Sequence, residues 1–239
     1  MIMNFYEALS EYYDKFFLPN NNIIELAKSF NLKNKTVLDL GAGTGTTAIL
    51  FHQAGFNVSA LEIDPSMVNR FEEKINNKFI DIKLEEGNIL DTPKYFTDVF
   101  GLIMCIGNTL PHLNSLIEVE KVISDSFNLL SESGVLLLQT VNFDKIKNEK
   151  TFELPILKSQ NEQISFTRFY TIENNTITFN GVIDVNGEKL TNQVQLLLIN
   201  SSDLISICKK YFSVVETYGD FKGNTYSEQS SALILKCIK

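Results

Sequence analysis

The feature that most constrains the fold of this chain is a short apolar run that leads into three alternate glycines. The run is Thr36-Val37-Leu38-Asp39-Leu40-Gly41-Ala42-Gly43-Thr44-Gly45. Its apolar residues are typical of a buried strand in a parallel sheet, and glycine allows a sharp turn and a close approach of the backbone to a ligand. A helix predicted at residues 46–53 would point its first N–H groups at that ligand. Glu62 belongs to a second predicted strand, residues 58–63, at whose end a carboxylate can bind both hydroxyls of a ribose. The segment therefore predicts a nucleotide-binding crossover.

The glycine spacing distinguishes between two kinds of nucleotide. A dinucleotide-binding loop has glycines at its first, third and sixth positions, whereas here the third glycine is the fifth residue, Gly45, and the sixth is Thr46. A pyrophosphate ligand is therefore disfavoured. The pattern Asp39-x-Gly41-x-Gly43-x-Gly45 followed by Glu62 resembles the first two motifs of the class I S-adenosylmethionine (SAM) methyltransferases.

This resemblance implies that SAM is the cofactor. In the family the glycine loop lies under the methionine part of SAM, and the acid at the end of the second strand holds the ribose. Asn88 matches the family position beside the adenine ring; an aspartate is commoner there, but the amide oxygen can also accept from the adenine amino group. The cofactor-binding residues implied in this way are Asp39, Gly41, Ala42, Gly43, Gly45, Glu62, Ile63, Met67, Asn88, Ile89 and Cys105.

Helical and strand patterns alternate along the chain and predict an α/β fold, with a Rossmann-like, seven-stranded, mostly parallel sheet flanked by helices. In the resembled family the last strand is antiparallel to the others. Residues 164–172, 176–185 and 189–199 alternate polar and apolar residues around turn signals at Asn174-Asn175 and Asn186-Gly187, which predicts an antiparallel three-stranded insertion.

The whole chain, residues 1–239, is expected to be a single methyltransferase domain. Its parts are an N-terminal helical segment (1–31), the SAM-binding core (32–145), the antiparallel insertion near the acceptor site (146–200), and a C-terminal helix with the last two strands (201–239). A helix predicted over residues 4–17 carries Tyr12 and Tyr13, whose spacing fits packing on the domain better than closure over the site.

Composition favours a small-molecule partner. The net charge of −8 and the pI near 4.9 give no electrostatic reason to expect binding to DNA or RNA. The N-terminus lacks a basic region followed by an apolar core, and no apolar run is long enough to span a membrane, so a cytoplasmic protein without a membrane partner is expected. Cys105, Cys208 and Cys237 are far apart, and with two histidines no metal-ligand spacing occurs, so no metal site is predicted.

The loops after the fourth and fifth predicted strands resemble a particular group within this family. Gly107-Asn108-Thr109-x-x-His112-Leu113 and Asn142-Phe143-Asp144 resemble the corresponding loops of glycine N-methyltransferase and its small-molecule N-methyltransferase relatives. The resemblance implies methyl transfer to an amine, with His112, Asn108 and Asn142 as candidates for positioning or binding the acceptor. His112 could also act as a base, because its pKa range suits proton removal near neutral pH, or simply fix the loop.

Two departures from the family patterns shape the expected acceptor. Val141 stands where glycine N-methyltransferase has an arginine that clamps the substrate carboxylate, so we expect an acceptor larger or less anionic than glycine. The loop after the fourth strand also lacks the Asn/Asp-Pro-Pro-aromatic signature of enzymes that methylate planar nitrogens. An O-methyltransferase of a small metabolite, a nicotinamide-dependent oxidoreductase and a non-catalytic SAM-binding protein remain as alternatives. The sequence leaves the oligomeric state open, with a homodimer among the expected assemblies.

Overall fold

The computed structural model describes residues 5–147, 149–159, 163–173 and 176–239, with their side chains from residue 9 onward. The strands in these ranges are β1 (Thr36–Leu40), β2 (Asn57–Glu62), β3 (Lys83–Glu86), β4 (Phe100–Cys105), β5 (Leu130–Val141), β6 (Thr151–Glu153), β7 (Leu157–Lys158), β8 (Ile164–Glu173), β9 (Thr176–Val185), β10 (Glu188–Leu196), β11 (Val214–Tyr218) and β12 (Ala232–Ile238). The helices are α1 (Phe5–Phe16), α2 (Asn21–Lys28), α3 (Thr46–Gln53), α4 (Pro65–Lys78), α5 (Thr92–Tyr95), α6 (Leu116–Leu129), α7 (Phe143–Ile146) and α8 (Ser201–Cys208).

The main sheet confirms the predicted seven-stranded architecture. Its strand order is β11-β12-β5-β4-β1-β2-β3, and β12 pairs antiparallel with both of its neighbours while the other pairs are parallel. The order reverses at β1 and β4, which places the switch point of the sheet beside the loop that follows β1. Ligands bind at such points, outside the carboxyl ends of the strands.

Helices cover both faces of the main sheet, and this explains why its central strands are apolar on both sides. All six residues of β4 are buried. One face packs against α2, α3 and α4, and the other packs against α6 and α8. Local signals fix the helix ends; at the start of α4, the Asp64 side chain accepts from the N–H groups of Ser66 and Met67, and Pro65 occupies the first helical position.

The antiparallel sheet has five strands rather than the predicted three. Strands β8, β9 and β10 correspond to the predicted segments, and the short strands β6 and β7 both pair with β8. Strands of three and two residues are too short to show a readable alternation, so the sequence pattern missed them. The predicted turn at Asn174-Asn175 lies outside the described residues.

One face of the antiparallel sheet, here called the inner face, packs on the rest of the molecule. Near one end of β8, Ile164 and Phe166 join α1 residues such as Phe16 in one apolar cluster. Near the other end, Tyr170 packs with α7 in a second cluster. The predicted opening helix is present as α1, and it bridges the inner face and α4. Among the described helices, none combines the length and the apolar character needed to cross a membrane.

Candidate active site at the carboxyl edge of the main sheet

The glycine loop after β1 needs glycine for conformational reasons. Gly41, Gly43 and Gly45 all have positive φ, at 76°, 58° and 77°. The three positions differ in their surroundings. A Cβ at Gly45 would overlap the ring of Phe71, and one at Gly41 would lie 2.5 Å from Cγ2 of Thr109. At Gly43 the neighbour is Cζ of Tyr13, 4.0 Å away, so this position alone opens toward space that a ligand could fill.

Glu62 ties the glycine loop to the end of β2. Its Oε2 accepts from the N–H of Gly43 at 2.7 Å, and its Oε1 accepts from the N–H groups of Ile63 and Asp64 at 2.8 and 2.9 Å. The residue is 7% exposed. A carboxylate can accept about four hydrogen bonds, so Glu62 keeps capacity for a ligand hydroxyl while its position is fixed.

Asp39, in β1, is an acid in an unusual environment. It is buried, and its Oδ1 has no hydrogen-bond partner. Burial, together with the charge of Glu62, raises the pKa of Asp39 to about 7. A buried acceptor without a donor is costly unless a ligand supplies one. A donor group such as the ammonium of an amino acid would satisfy it.

The predicted adenine side of the site is partly apolar. Ile63, directly after Glu62, is 58% exposed, which is unusual for a large aliphatic residue and would suit an aromatic ring against it. Asn88 Oδ1 accepts from the N–H of Leu90 at 2.9 Å, so the amide begins the short turn that contains Ile89. Met67 and Ile89 are both buried, Met67 in the apolar cluster that α1 forms with the antiparallel sheet and Ile89 in the core of the main sheet.

Cys105, which the resemblance predicts to contact the cofactor, lies in the core. The residue is fully buried in the apolar core, and burial, with the charge of Asp39 added, raises the pKa of its thiol far above the ordinary value. The thiol is therefore neutral and packs against apolar neighbours. A contact between Cys105 and the cofactor stays a prediction.

Helix α1 brings two groups to the site: Tyr13, for which the sequence favoured packing over closure, and Asp14, which the sequence analysis did not single out. Tyr13 lies beside Gly43, and burial, with the charges of Glu62, Asp14 and Asp39, raises the pKa of its hydroxyl to about 12. The Asp14 carboxylate accepts from Thr44 Oγ1 at 2.7 Å, Thr46 Oγ1 at 2.6 Å and Lys74 Nζ at 2.7 Å. Burial alone would raise the pKa of Asp14, but the hydrogen bonds outweigh it and lower the pKa. Tyr13 therefore covers the glycine loop, and Asp14 fastens α1 to it.

The loop after β4 is held against the end of β5. Asn108 has a positive φ of 68°, and its Oδ1 accepts from the N–H of Val141 at 3.0 Å. Gly107 N–H donates to Gln139 Oε1 at 2.7 Å. His112 is exposed at the end of this loop, and burial of part of its ring lowers its pKa. Asn108 thus positions the loop, while His112 keeps a ring that can reach solvent or a ligand.

The triplet Asn142-Phe143-Asp144 joins three parts of the chain. Asn142 is buried; its Nδ2 donates to the carbonyls of residues 227, 228 and 230, and its Oδ1 accepts from Tyr226. Phe143 packs edge-on against Tyr170 of β8, and Asp144 accepts from the first N–H of α8. Burial would raise the pKa of Asp144, but hydrogen bonds from Lys147 and Ser201 lower it to about 2. The Asn142 amide is therefore used within the protein and holds the C-terminal loop in place.

Comparison with known proteins agrees with this geometry. The family model described as a methyltransferase domain matches residues 31–213. The chain belongs to this methyltransferase family. A glycine/sarcosine N-methyltransferase of Aphanothece halophytica is 27% identical over 115 residues, which are 48% of this chain and 43% of the relative. The first three curated relatives are matched over 43%, 66% and 40% of their own length.

Solved structures show the same fold over the whole methyltransferase chain. A SAM-dependent methyltransferase from Clostridium acetobutylicum has a TM-score of 0.80 at 16% identity and covers 99% of both chains. The SAM-bound amino pentose methyltransferase CalS10 from Micromonospora echinaspora has a TM-score of 0.71 at 15% identity, covering 99% of this chain and 98% of its own. The fold that the glycine motif predicted is thereby confirmed.

One further residue of this methyltransferase escaped the sequence reasoning. Arg168 lies on the inner face of the antiparallel sheet, in register between the apolar residues Phe166 and Tyr170. A charged residue on the apolar side of an alternating strand is the signal that would have drawn attention to it, because such side chains are seldom placed toward a core without a function.

Among the described residues, no group of three or more histidine, cysteine or acidic residues could hold a metal ion.

Proposed function

We propose that this methyltransferase transfers a methyl group from SAM to a small molecule, with an amine nitrogen as the acceptor atom. The observation that carries the proposal is the combination at the carboxyl edge of β1 and β2. Glu62 is locked to the glycine loop and keeps free acceptor capacity, and Asp39 beside it has a buried oxygen without a donor. These groups fit the ribose hydroxyls and the ammonium of SAM.

When bound, SAM supplies a methyl group already activated by the positive charge on sulfur. The residues of the protein therefore mainly bind, align and exclude water. Glu62, Asp39, Gly41, Gly43 and Tyr13 would hold and cover the cofactor. Ala42 and Gly45 shape the loop, and Ile63 with Asn88 would flank the adenine.

The acceptor would lie between the loop of residues 107–113, the end of β5 and the inner face of the antiparallel sheet. The carbonyl of Pro111 accepts from the N–H of Leu197 at 2.8 Å, which joins two of these borders. His112 has a lowered pKa, so its ring is neutral at pH 7 and able to accept a proton from an ammonium or a hydroxyl acceptor. Asn108 and Asn142 act as positioning residues. The absence of an arginine at Val141 argues against glycine bound in the manner of glycine N-methyltransferase.

The test is incubation of the protein with SAM labelled in its methyl group and a panel of amines and hydroxylated metabolites. Titration calorimetry with SAM and with NADH accompanies it. We expect SAM to bind and the label to appear on an amine. Tight binding of NADH without binding of SAM would favour an oxidoreductase, and binding of SAM without transfer to any acceptor would favour a regulator. Label on hydroxyls alone would favour an O-methyltransferase. Sedimentation of the same sample reports whether the chain is a homodimer.

A further inference from the structure

The inner face of the antiparallel sheet has an unusual row between its two apolar clusters. Gly181 of β9 is the registered partner of both Arg168 of β8 and Asn192 of β10. The row on one side is Phe166, Ile183 and Leu190, and the row on the other side is Tyr170, Phe179 and Val194. Because Gly181 contributes no side chain, the two polar residues flank a central position that has only backbone.

Two polar nitrogens of this row lack partners. Arg168 Nε and Asn192 Nδ2 are buried and make no hydrogen bond. The guanidinium lies over the rings of Phe17 and Phe166, 5.5 and 5.6 Å from their centres, and its Nη2 donates to the carbonyl of Pro155 at 3.1 Å. Among the described residues, no carboxylate forms an ion pair with Arg168. A buried donor without an acceptor costs free energy, and the lack of a counter-ion adds to this cost for a partly buried cation.

Tyr13 lies close both to this row and to the carboxyl edge of β1 and β2 where SAM is proposed to bind, here called the cofactor edge. Its ring centre lies 4.5 Å from that of Phe17, and the Arg168 guanidinium lies over the other aromatic ring of that pair. Burial and the charges of Glu62, Asp14 and Asp39 raise the pKa of the Tyr13 hydroxyl, whereas the charge of Arg168 lowers it. The row is therefore within electrostatic reach of the place where methyl transfer is proposed to occur. Arg168 is partly buried, and its outer nitrogen Nη2 lies at an exposed position from which a ligand could reach the guanidinium.

We propose that Arg168 and Asn192 bind an oxyanion of the methyl acceptor, a carboxylate or a phosphate. The inference rests on the proposed function and adds the class of acceptor. The acceptor is an anionic amine larger than glycine, whose oxyanion lies on the antiparallel sheet while its nitrogen lies at the carboxyl edge of the main sheet. The guanidinium fork can donate two parallel hydrogen bonds to a carboxylate or phosphate, and the amide of Asn192 adds a further donor. Arg168 thus takes the role of a carboxylate clamp from a position unrelated to residue 141.

The test uses simple oxyanions as probes of the protein loaded with S-adenosylhomocysteine. Benzoate and phenyl phosphate are titrated by NMR beside the neutral benzyl alcohol, with the wild type and the variants Arg168→Gln and Asn192→Asp. Arg70→Gln is the matched control, because Arg70 is the other arginine of the chain and pairs with Glu73 on the surface. We expect at least one oxyanion to bind the wild type and Arg70→Gln, and to bind Arg168→Gln at least tenfold more weakly. The better of the two anions tells a carboxylate from a phosphate.

Asn192→Asp keeps the shape of the side chain and provides Arg168 with an internal carboxylate, so it should also expel the anion. The proposal fails if neither anion binds the wild type better than benzyl alcohol. It also fails if Arg168→Gln and Asn192→Asp bind the anions as the wild type does. A lower melting temperature of Arg168→Gln with unchanged anion binding would give Arg168 a purely structural role. Binding of S-adenosylhomocysteine is measured first in every variant, so failure of the cofactor assignment is seen separately.

Discussion

At the carboxyl edge of the main sheet the unsatisfied group is an acceptor, Asp39 Oδ1, whereas on the inner face of the antiparallel sheet the unsatisfied groups are donors, Arg168 Nε and Asn192 Nδ2. The two regions therefore differ in the kind of hydrogen-bonding group that is left unsatisfied, as well as in architecture. The first presents carboxylates and a backbone loop and suits a ligand with donor groups. The second presents side-chain donors between aromatic rings and suits a ligand with an oxyanion. Tyr13 lies beside Gly43 of the first region, and its ring packs on Phe17, over which Arg168 of the second region lies.

The regions also differ in how they are built. The cofactor edge depends on backbone conformation, because three glycines with positive φ and three backbone N–H groups held by Glu62 define its shape. The inner face depends on side chains that strand register brings into one row. Substitutions at the cofactor edge should therefore affect SAM binding strongly, and substitutions around the acceptor should leave it nearly unchanged.

The largest effect is expected for Gly43→Val. A branched side chain at a φ of 58° is strained, and it would fill the space into which the loop opens. We expect SAM affinity to fall by more than about 100-fold, which corresponds to about 2.7 kcal/mol. Calorimetry measures it. Gly55→Val is the control, because Gly55 also has positive φ, at 85°, and nothing lies within 4 Å of its Cβ position. Equal loss of SAM binding in both variants would mean that strain, and not the ligand space, is responsible.

Glu62→Ala should have the next largest effect on SAM. Loss of hydrogen bonds to a charged group costs about 1.5–3 kcal/mol, so SAM should bind about 10- to 150-fold more weakly. The variant also leaves the N–H groups of Gly43, Ile63 and Asp64 without their acceptor, so its melting temperature should fall as well. Glu72→Ala, at an exposed position of α4, is the control for removal of an acid. Unchanged SAM affinity in Glu62→Ala would remove Glu62 from the cofactor site.

The local structure around the glycine loop could be predicted from the sequence because its determinants are local. The strand, the glycines and helix α3 follow one another within residues 36–53, and the predicted helix 46–53 has the observed bounds Thr46–Gln53. The acceptor side depends on pairing between distant segments. Arg168, Gly181 and Asn192 form a row only in one register, and a shift of one residue would turn each of them to the other face. Helical spacing could likewise place Tyr13 on a packed face of α1 but not identify Gly43 as its neighbour.

Asn142 shows a second limit of prediction from a sequence motif. The loop resemblance predicted it to be a site residue, and in the structure it lies directly after β5. Its hydrogen bonds run to residues 226–230, which are more than eighty positions away in the chain. No local sequence pattern predicts hydrogen-bond partners at this distance along the chain.

Asp39 gives a test of the acidic region without any ligand. Its pKa of about 7 in the folded protein lies above the ordinary value of 3.8, so between these values the folded state holds a proton that the unfolded state has lost. The free energy of unfolding should therefore decrease as pH rises through this window, by up to about 1.4 kcal/mol per pH unit. Asn at position 39 carries no such proton, and Asp39→Asn should lack this part of the slope. Denaturant unfolding at pH 4.5, 6 and 7.5 measures it; parallel profiles for the two proteins would contradict the raised pKa.

The smallest effect on SAM binding is expected at the acceptor side. His112→Ala and Asn142→Ala should both keep SAM affinity within about threefold of the wild type. This change is smaller than the tenfold change that corresponds to about 1.4 kcal/mol. The two variants should differ in stability. Asn142 is buried with its amide fully engaged, and its removal leaves the partners unsatisfied at a cost of about 1–3 kcal/mol, whereas His112 is exposed and its removal should cost little. Turnover on the acceptor that the labelling panel identifies should fall in both, through loss of a ring near the acceptor in His112→Ala and through movement of the loop at the end of β5 in Asn142→Ala. Thermal unfolding, calorimetry and single-turnover rates on the same preparations separate these contributions. Full turnover in both variants would place the acceptor elsewhere, and a large loss of SAM affinity in either would show that the two regions are not separate.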